Sequence, residues 1–266
     1  MAIDRKLAEK LAEKIIRETK SILDKRQRSY AFSKKLKRLD DEMICEIFYV
    51  ISQGARDKKP LFQDGYRIIC DIGMLNQYLG PRKLSGVYTH ARHKDYRDVV
   101  RIMSRTPPWR IPGVEDEPLE DRELKEKPLG ERKSLARTRD RDLINRLLHD
   151  QDPAVIHILL QNPILTIQEV VKIASKRPTN PQVLWQVYKN VKWINYYSVK
   201  KALINNPYCP TQVSLSLLHF MLEQDLEEIA ENQVLHPKIQ RAALELLIER
   251  RKKHQEEKKD SRPPAG

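Results

Sequence analysis

The chain is poor in cysteine, and the few thiols are scattered. Its 266 residues include three cysteines, Cys45, Cys70 and Cys209, which form no CxxC pair. This spacing supports neither a zinc knuckle nor an iron–sulfur loop, both of which need clustered cysteines. Scattered thiols are typical of reduced, partly buried small hydrophobic residues. We therefore predict neither a metal nor a cofactor.

Glycine and alternating β-branched runs are also scarce. The eight glycines are few for a chain of this length, and a sheet protein would need more of them at its turns. Lys, Glu and Leu are abundant, and all three favour helices. The predicted fold class is all-α.

Long hydrophobic runs are missing. No stretch approaches the ~20 apolar residues that a membrane helix needs. The first twenty residues alternate charged and apolar side chains and lack the uninterrupted apolar core of a signal peptide. We expect no integral membrane association and a cytoplasmic location.

Catalytic signatures are missing as well. The sequence has no GxSxG, no HExxH, no phosphate-binding glycine loop and no dinucleotide fingerprint. Acid pairs such as Asp40–Asp41 and Glu227–Glu228 fit ordinary capping or solvated positions. We predict a protein that is not an enzyme, with a site assembled from residues distant in sequence as the open alternative.

What the chain has in excess is positive charge, and most of it lies in the first half. The formal net charge is +13, and residues 1–110 carry 25 Lys and Arg against 14 Asp and Glu. Residues 151–250 carry 10 against 9 and are nearly neutral. Any contact with nucleic acid or another polyanion is therefore expected in the N-terminal half. The alternative is a solvated basic surface that only keeps the protein in solution.

Two basic segments are the candidates for that contact, because the second interleaves cations with aromatic rings. Their candidate nucleic-acid-binding residues are Lys34, Lys35, Lys37, Arg38, Tyr88, Arg92, Lys94, Tyr96 and Arg97.

Composition divides the chain into four parts. We predict a basic helical domain over 1–105 and a Pro-rich acidic linker over 106–130. A helical repeat domain follows over 131–250, and a charged, disordered tail over 251–266. Trp109 would be exposed in the linker unless it docks, so part of the linker is expected to be held in place.

Two phrases recur in the repeat domain. "ILLQNPILT" at Ile158–Thr166 returns as "ALINNPYCP" at Ala202–Pro210, 44 positions later. "IASKRPTNPQVL" at Ile173–Leu184 resembles "IAENQVLHPKIQ" at Ile229–Gln240, 56 positions later. The unequal offsets predict an irregular repeat with an insertion in its later copy. The Asn-Pro of the first phrase is expected to end a helix, the Asn in left-handed geometry, whereas Asn180-Pro181 in the second phrase is expected to start one.

This pattern of short helices with proline corners resembles the HEAT-like and leucine-rich-variant α-helical repeats of bacterial proteins. The resemblance covers residues 131–250 and implies a short, irregular α-solenoid of helix pairs. Some leucine-rich-variant proteins carry an iron–sulfur cluster, for which the clustered cysteines are missing here. Some HEAT-like proteins are DNA glycosylases with a basic concave face, which the nearly neutral repeat region does not match.

The favoured function is a non-enzymatic adaptor or scaffold that binds a protein or peptide partner on the repeat surface. The candidate partner-binding residues form one aromatic group: Trp185, Tyr188, Trp193, Tyr196 and Tyr197. Aromatic side chains of this kind anchor protein interfaces, or else they fill the core between helices. A nucleic-acid-binding protein is the alternative, and a HEAT-like nucleic-acid-processing enzyme is a weaker one.

Overall fold

The chain folds into helices, as shown in a computed structural model. The structure describes residues 5–57, 59–104, 107–113 and 121–260, with side chains up to residue 252. No strand occurs within these ranges, so the all-α prediction is confirmed. The chain divides into two compact units, Met1–Arg105 and Thr106–Gly266.

The first unit contains seven helices in its described part. They are α1 (Arg5–Lys20), α2 (Lys25–Leu36), α3 (Asp41–Arg56), α4 (Pro60–Ile69), α5 (Ile72–Leu79), α6 (Pro81–His93) and α7 (Arg97–Met103). Aspartates cap several of them because a carboxylate accepts the free N–H groups of a first turn. Asp24 accepts from the Gln27 N–H at 2.8 Å, and Asp40 accepts from the Met43 N–H at 2.7 Å.

Helix α3 forms the centre of this unit. Its apolar residues Ile44, Ile47, Phe48 and Ile51 are fully buried, and it packs against α1, α4, α6 and α7. Gly54 permits the close approach of α4, since a Cβ atom there would lie 2.4 Å from the Phe62 Cγ. This core fixes α2 and α6 at the surface, where the basic residues lie.

The second unit contains ten further helices in its described part. They are α8 (Arg122–Glu126), α9 (Leu129–Leu135), α10 (Arg141–Leu147), α11 (Pro153–Leu159), α12 (Ile167–Ser175), α13 (Pro181–Lys189), α14 (Tyr197–Ile204), α15 (Thr211–Leu217), α16 (Glu223–Glu231) and α17 (Pro237–Asp260). Short 3₁₀ turns follow α13 and α15 at Trp193–Asn195 and Leu218–Phe220. Helix α17 runs into the segment predicted to be a disordered tail, whose residues 261–266 lie outside the described ones.

Parts of the predicted linker pack on the second unit. The Trp109 ring lies edge-on to the His236 ring at 5.0 Å, and the Arg110 N–H donates to the Pro207 carbonyl at 3.1 Å. Further along, Arg146 donates to both Asp121 oxygens at 2.6 and 2.9 Å, which lowers the pKa of Asp121 to about 2. Residues 106 and 114–120 of the predicted linker lie outside the described residues.

Proline and capping side chains start the helices of this unit, as the sequence predicts. Pro153, Pro181 and Pro237 each occupy the first turn of a helix, where the missing N–H costs nothing. The capping box predicted from Thr166 to Glu169 is present, with the Glu169 carboxylate accepting from the Thr166 N–H at 2.6 Å.

The asparagines of the first repeated phrase, Asn162 and Asn206, join successive layers of helices. Asn206 is buried, and its Nδ2 donates to the Ala174 and Lys176 carbonyls at 2.8 and 2.9 Å. Asn162 donates in the same way to the Ala136 and Thr138 carbonyls. The expected left-handed geometry is wrong, since Asp95 is the one non-glycine residue with positive φ in the described part. The Oδ1 of each asparagine instead accepts the backbone N–H of the second residue after it. This bond stabilises the turn, and left-handed geometry is not needed.

Several side-chain contacts of the second unit share one sequence spacing, which differs from the offsets of the two phrases. Side-chain hydrogen bonds join residues 28 positions apart: Arg141 to Glu169, Tyr188 to Ser216, and Tyr197 to Asp225. Accordingly, α11 packs against α13 and α12 against α14. The 44-residue offset linked the ends of α11 and α14, which occupy non-equivalent places in this period. The 56-residue offset spans two whole periods.

Candidate nucleic-acid interface

Helix α2 carries the densest positive charge in the first unit. Between Asp24 and Asp40 the chain has seven Lys and Arg and no Asp or Glu. The two flanking aspartates accept backbone N–H groups at the starts of α2 and α3, so both carboxylates are engaged in capping. The positive charge of α2 is therefore not balanced along its own length.

One side of this helix is buried and another is exposed. Phe32 and Leu36 are buried and hold α2 on the unit. The residues of the exposed side recur at helical spacing, and we call them the α2 face: Arg26, Tyr30, Lys34, Lys37 and Arg38. The distance along the helix from Arg26 to Lys37 is about 17 Å at 1.5 Å per residue.

An exposed aromatic ring lies within the α2 face. Tyr30 is 51% exposed, although it follows the buried Ser29 and precedes Phe32 by only two residues. Its ring packs edge-on against Tyr78 of α5, with the ring centroids 5.4 Å apart. The edge contact fixes the ring while leaving much of its surface open to solvent.

The start of α6 extends the basic surface at the end of α2. Lys83 donates to the Leu39 carbonyl and pairs with Asp41 at 3.5 Å, which fixes α6 beside the α2–α3 turn. Its neighbour Arg82 is exposed, as are Lys37 and Arg38 on that turn. The basic surface thus continues from one helix to the next.

The structure divides the predicted nucleic-acid-binding residues into two groups. Lys34, Lys37 and Arg38 lie on the α2 face, and Arg92 is exposed on α6. Lys35 pairs with Glu18 of α1 and is partly committed to that contact. Tyr88 is half-buried on α6.

The other residues of the second basic segment serve the first unit's own packing. Lys94 donates to Glu42 and Glu46 at 2.7 and 2.8 Å; burial opposes its charge, but these two bonds raise its pKa. The Tyr96 ring stacks on Tyr49 with centroids 3.9 Å apart, and its hydroxyl donates to Glu46 at 2.8 Å. Arg97 pairs with its neighbour Asp95 at 3.3 Å. Lys94 and Tyr96 therefore bind α3, and Arg97 binds the turn that precedes α7.

Arg26 and Tyr30 were not among the residues selected from the sequence. Runs of adjacent cations and rings do not include these two residues, which lie one helical turn apart. The absence of acids from 25 to 39, combined with a 3.6-residue period, would have identified them.

The aromatic group predicted to bind a partner is largely occupied within the second unit. Trp193 is 2% exposed, and its Nε1–H donates to the Leu160 carbonyl at 2.7 Å. The Tyr197 hydroxyl donates to Asp225, and the Tyr188 hydroxyl accepts from Ser216 at 3.2 Å. Tyr196 and Tyr197 are 38% and 36% exposed and Trp185 is half-buried, so these three retain surface, although the Tyr197 hydroxyl is already engaged.

The thiols are placed as expected for small hydrophobic residues. All three cysteines are buried thiols outside any disulfide, and burial raises the pKa of Cys45 and of Cys209 to about 12. At such pKa values neither thiol is a nucleophile near neutral pH. No group of three or more potential metal ligands occurs within the described part of the chain.

The chain matches no protein-family model, no curated protein and no solved structure. The likeness to HEAT-like repeats therefore depends on the sequence pattern and on the packing of the helices. Among the described residues, no helix is both long and apolar enough to cross a membrane.

Proposed function

We propose that this protein is a non-enzymatic nucleic-acid-binding protein and that the α2 face of its first unit contacts the phosphate backbone. The observation that carries the proposal is the run of seven cations from 25 to 39 without a carboxylate. Four of them, Arg26, Lys34, Lys37 and Arg38, make no ion pair with any residue that the structure describes. Unpaired cations in a row attract a polyanion by releasing its condensed counterions.

Alternative uses of the same charge are less well matched to the geometry. A surface that only maintains solubility mixes both signs of charge, as the rest of the first unit does in its pairs Lys94–Glu42 and Lys20–Asp64. The α2 face instead concentrates one sign over about 17 Å of helix. A one-sign field of this kind steers and holds a charged ligand.

Neutralising this surface should weaken binding strongly. In the triple variant Arg26→Gln, Lys34→Gln, Lys37→Gln, we expect affinity for labelled oligonucleotides to fall at least about tenfold at 50 mM salt. The slope of log affinity against log salt should decrease by about 2 to 3, because three phosphate contacts are lost. Fluorescence anisotropy between 50 and 200 mM salt measures both quantities with the full chain.

The matched control removes the same charge from the second unit. Arg139→Gln, Lys172→Gln and Arg241→Gln change exposed residues and leave the α2 face intact. This variant should bind like the unmodified protein. Equal losses in the two triple variants would show that net charge alone attracts the oligonucleotide, which would contradict a site on α2.

We further propose that the second unit is a HEAT-like helical repeat, a short α-solenoid, that serves as an adaptor for a protein partner. The 28-residue spacing supports this organisation, as does the packing of α9 on α11, α11 on α13, α12 on α14 and α15 on α17. The candidate surface lies on α13 and the turn after it, where Val191 is 52% exposed, Tyr196 is 38% exposed and Trp185 is half-buried. Apolar and aromatic residues grouped at a surface are typical of protein contacts.

A photocrosslinker tests the adaptor function. In Tyr196→benzoylphenylalanine, we expect irradiation in cells to give one discrete crosslinked protein, and adding Trp185→Ala should abolish it, because Trp185 is the aromatic anchor that α13 contributes to the proposed surface. The triple α2 variant is the control and should retain the crosslink. A crosslinked pattern that is insensitive to Trp185→Ala would contradict a partner site on this surface.

A further inference from the structure

We infer that Tyr30, supported by Tyr78, stacks on an unpaired base, so that the ligand of the α2 face is a single-stranded nucleic acid. The inference depends on the function proposed for the first unit, and it specifies the class of nucleic acid. It is based on the position of one exposed ring among unpaired cations.

The ring is flanked by cations one helical turn away on each side. Arg26 precedes Tyr30 by four residues and Lys34 follows it by four, so each lies about 6 Å along the helix from the ring. Neither cation has an ion-pair partner among the described residues. A strand that places phosphates on both cations would bring the base between them over the tyrosine.

The ring is also held in a fixed position. Tyr78 meets it at an interplanar angle of 74°, so the two rings do not stack on each other. In contrast, Tyr49 and Tyr96 stack at 16° and cover one another's faces. Tyr30 therefore keeps surface available for a flat partner, and its contact with Tyr78 reduces the entropy lost when a base stacks on it.

A base can use this surface only when it is unpaired. In a duplex the faces of the bases are covered by their neighbours, and a side chain reaches only the edges in the grooves. In single strands the bases splay out and stack on aromatic side chains, while cations follow the backbone. An exposed tyrosine in the middle of a cationic row fits the second arrangement.

A lipid surface is the main competing ligand, because Leu23 at the start of α2 is 99% exposed beside Lys25 and Arg26. An apolar residue next to cations is common in proteins that bind anionic membranes. Leu23 is a single side chain, however, and the exposed residues that continue along α2 are polar or aromatic. The single-strand interpretation therefore accounts for more of the face.

The experiment uses fluorescence anisotropy with the full chain, a labelled 15-nucleotide oligo(dT) strand and the same strand paired with oligo(dA). Tyr30→Ala is expected to weaken single-strand binding about 5- to 100-fold, the loss typical of one stacked base. Tyr30→Phe keeps the ring and should bind within about twofold of the unmodified protein. Tyr196→Ala, which removes an exposed tyrosine from the second unit, is the matched control and should leave binding unchanged.

The salt dependence separates stacking from a general disturbance of the face. Stacking involves no counterion, so Tyr30→Ala should lower affinity equally at 50 and 200 mM salt and keep the slope unchanged. Circular dichroism and thermal unfolding of Tyr30→Ala confirm that the fold is retained. Duplex affinity should respond little to this substitution.

Three outcomes would overturn the inference, and they differ in what they mean for the proposed function. Equal binding of single strand and duplex, unaffected by Tyr30→Ala, leaves nucleic-acid binding in place and removes the stacking role. No binding of either oligonucleotide at 50 mM salt removes both. Binding only to vesicles of anionic phospholipid, with loss in Leu23→Gln, assigns the face to a membrane surface and also removes both.

Discussion

Replacing Asn206 by aspartate is expected to lower the free energy of unfolding of the second unit by about 4 kcal/mol. The asparagine is 1% exposed and donates one hydrogen bond to the Ala174 carbonyl and one to the Lys176 carbonyl. Lys176 is the C-cap of α12, so the second bond also fixes the end of that helix. An ionised aspartate has no proton to donate, so two buried carbonyls would face a buried negative charge. Each unpaired buried carbonyl costs about 1 to 3 kcal/mol, and the charge adds to that.

Tryptophan fluorescence is the appropriate measurement for this variant. Trp109, Trp185 and Trp193 all belong to the second unit, so a guanidinium titration followed by their emission reports on that unit. Asn232→Asp is the control, because this half-buried asparagine accepts from the Val234 N–H at 3.1 Å, and an aspartate can still accept. A loss for Asn206→Asp no larger than that for Asn232→Asp would refute the role of Asn206 as a connection between layers.

Truncation of Trp193 should have a comparable effect. Trp193→Ala removes a fully enclosed side chain and leaves the Leu160 carbonyl without its 2.7 Å hydrogen bond. Large-to-small changes of buried aromatic residues cost about 3 to 5 kcal/mol, and we expect about 4 kcal/mol here. Far-UV circular dichroism during urea unfolding measures the change without depending on the deleted fluorophore.

Trp185→Ala provides the comparison within the same aromatic group. Trp185 is half-buried on α13, where Lys189 lies 5.2 Å above its ring, so its truncation should cost about 1 kcal/mol. If both substitutions destabilised equally, the distinction between a core tryptophan and a surface tryptophan would be wrong. The pair therefore determines which members of the group are available to a partner.

Much of the fold follows from local sequence, because local rules determine helix starts. The scarcity of glycine indicates helices, and Asp40, Thr166 and Pro153 occupy the capping or first-turn positions that their chemistry predicts. The repeat length of the second unit is harder to derive from the sequence. Pro153 and Pro181 are 28 residues apart, which predicts the next proline at position 209, but it lies at 210. Pro210 is also the N-cap of α15, whereas the other two are the first residues of their helices. The repeated Asn-Pro phrase recurs after 44 residues, and this offset differs from the 28-residue spacing.

The candidate interface could be predicted only in part, because the availability of a cation depends on distant acids. Lys94, like Lys34, lies in a basic segment, but Glu46, 48 residues earlier, lies 2.8 Å from its Nζ. Nothing within a helical turn of Lys94 indicates this pairing. For α2 much of the relevant information is local, since the run from 25 to 39 contains no acid, although Lys35 still pairs with Glu18, 17 residues earlier.

The 28-residue spacing of the second unit makes its length modular. Arg141, Glu169, Tyr197 and Asp225 occupy equivalent places, and each bonds to the next or to the previous one. Because these bonds reach only one period along the chain, gain or loss of a whole period would leave the surroundings of most other helices unchanged. A change of half a period would instead exchange the two kinds of helix along the rest of the unit. We therefore expect an insertion or deletion of 28 residues to disturb the packing of this unit less than one of 14 residues.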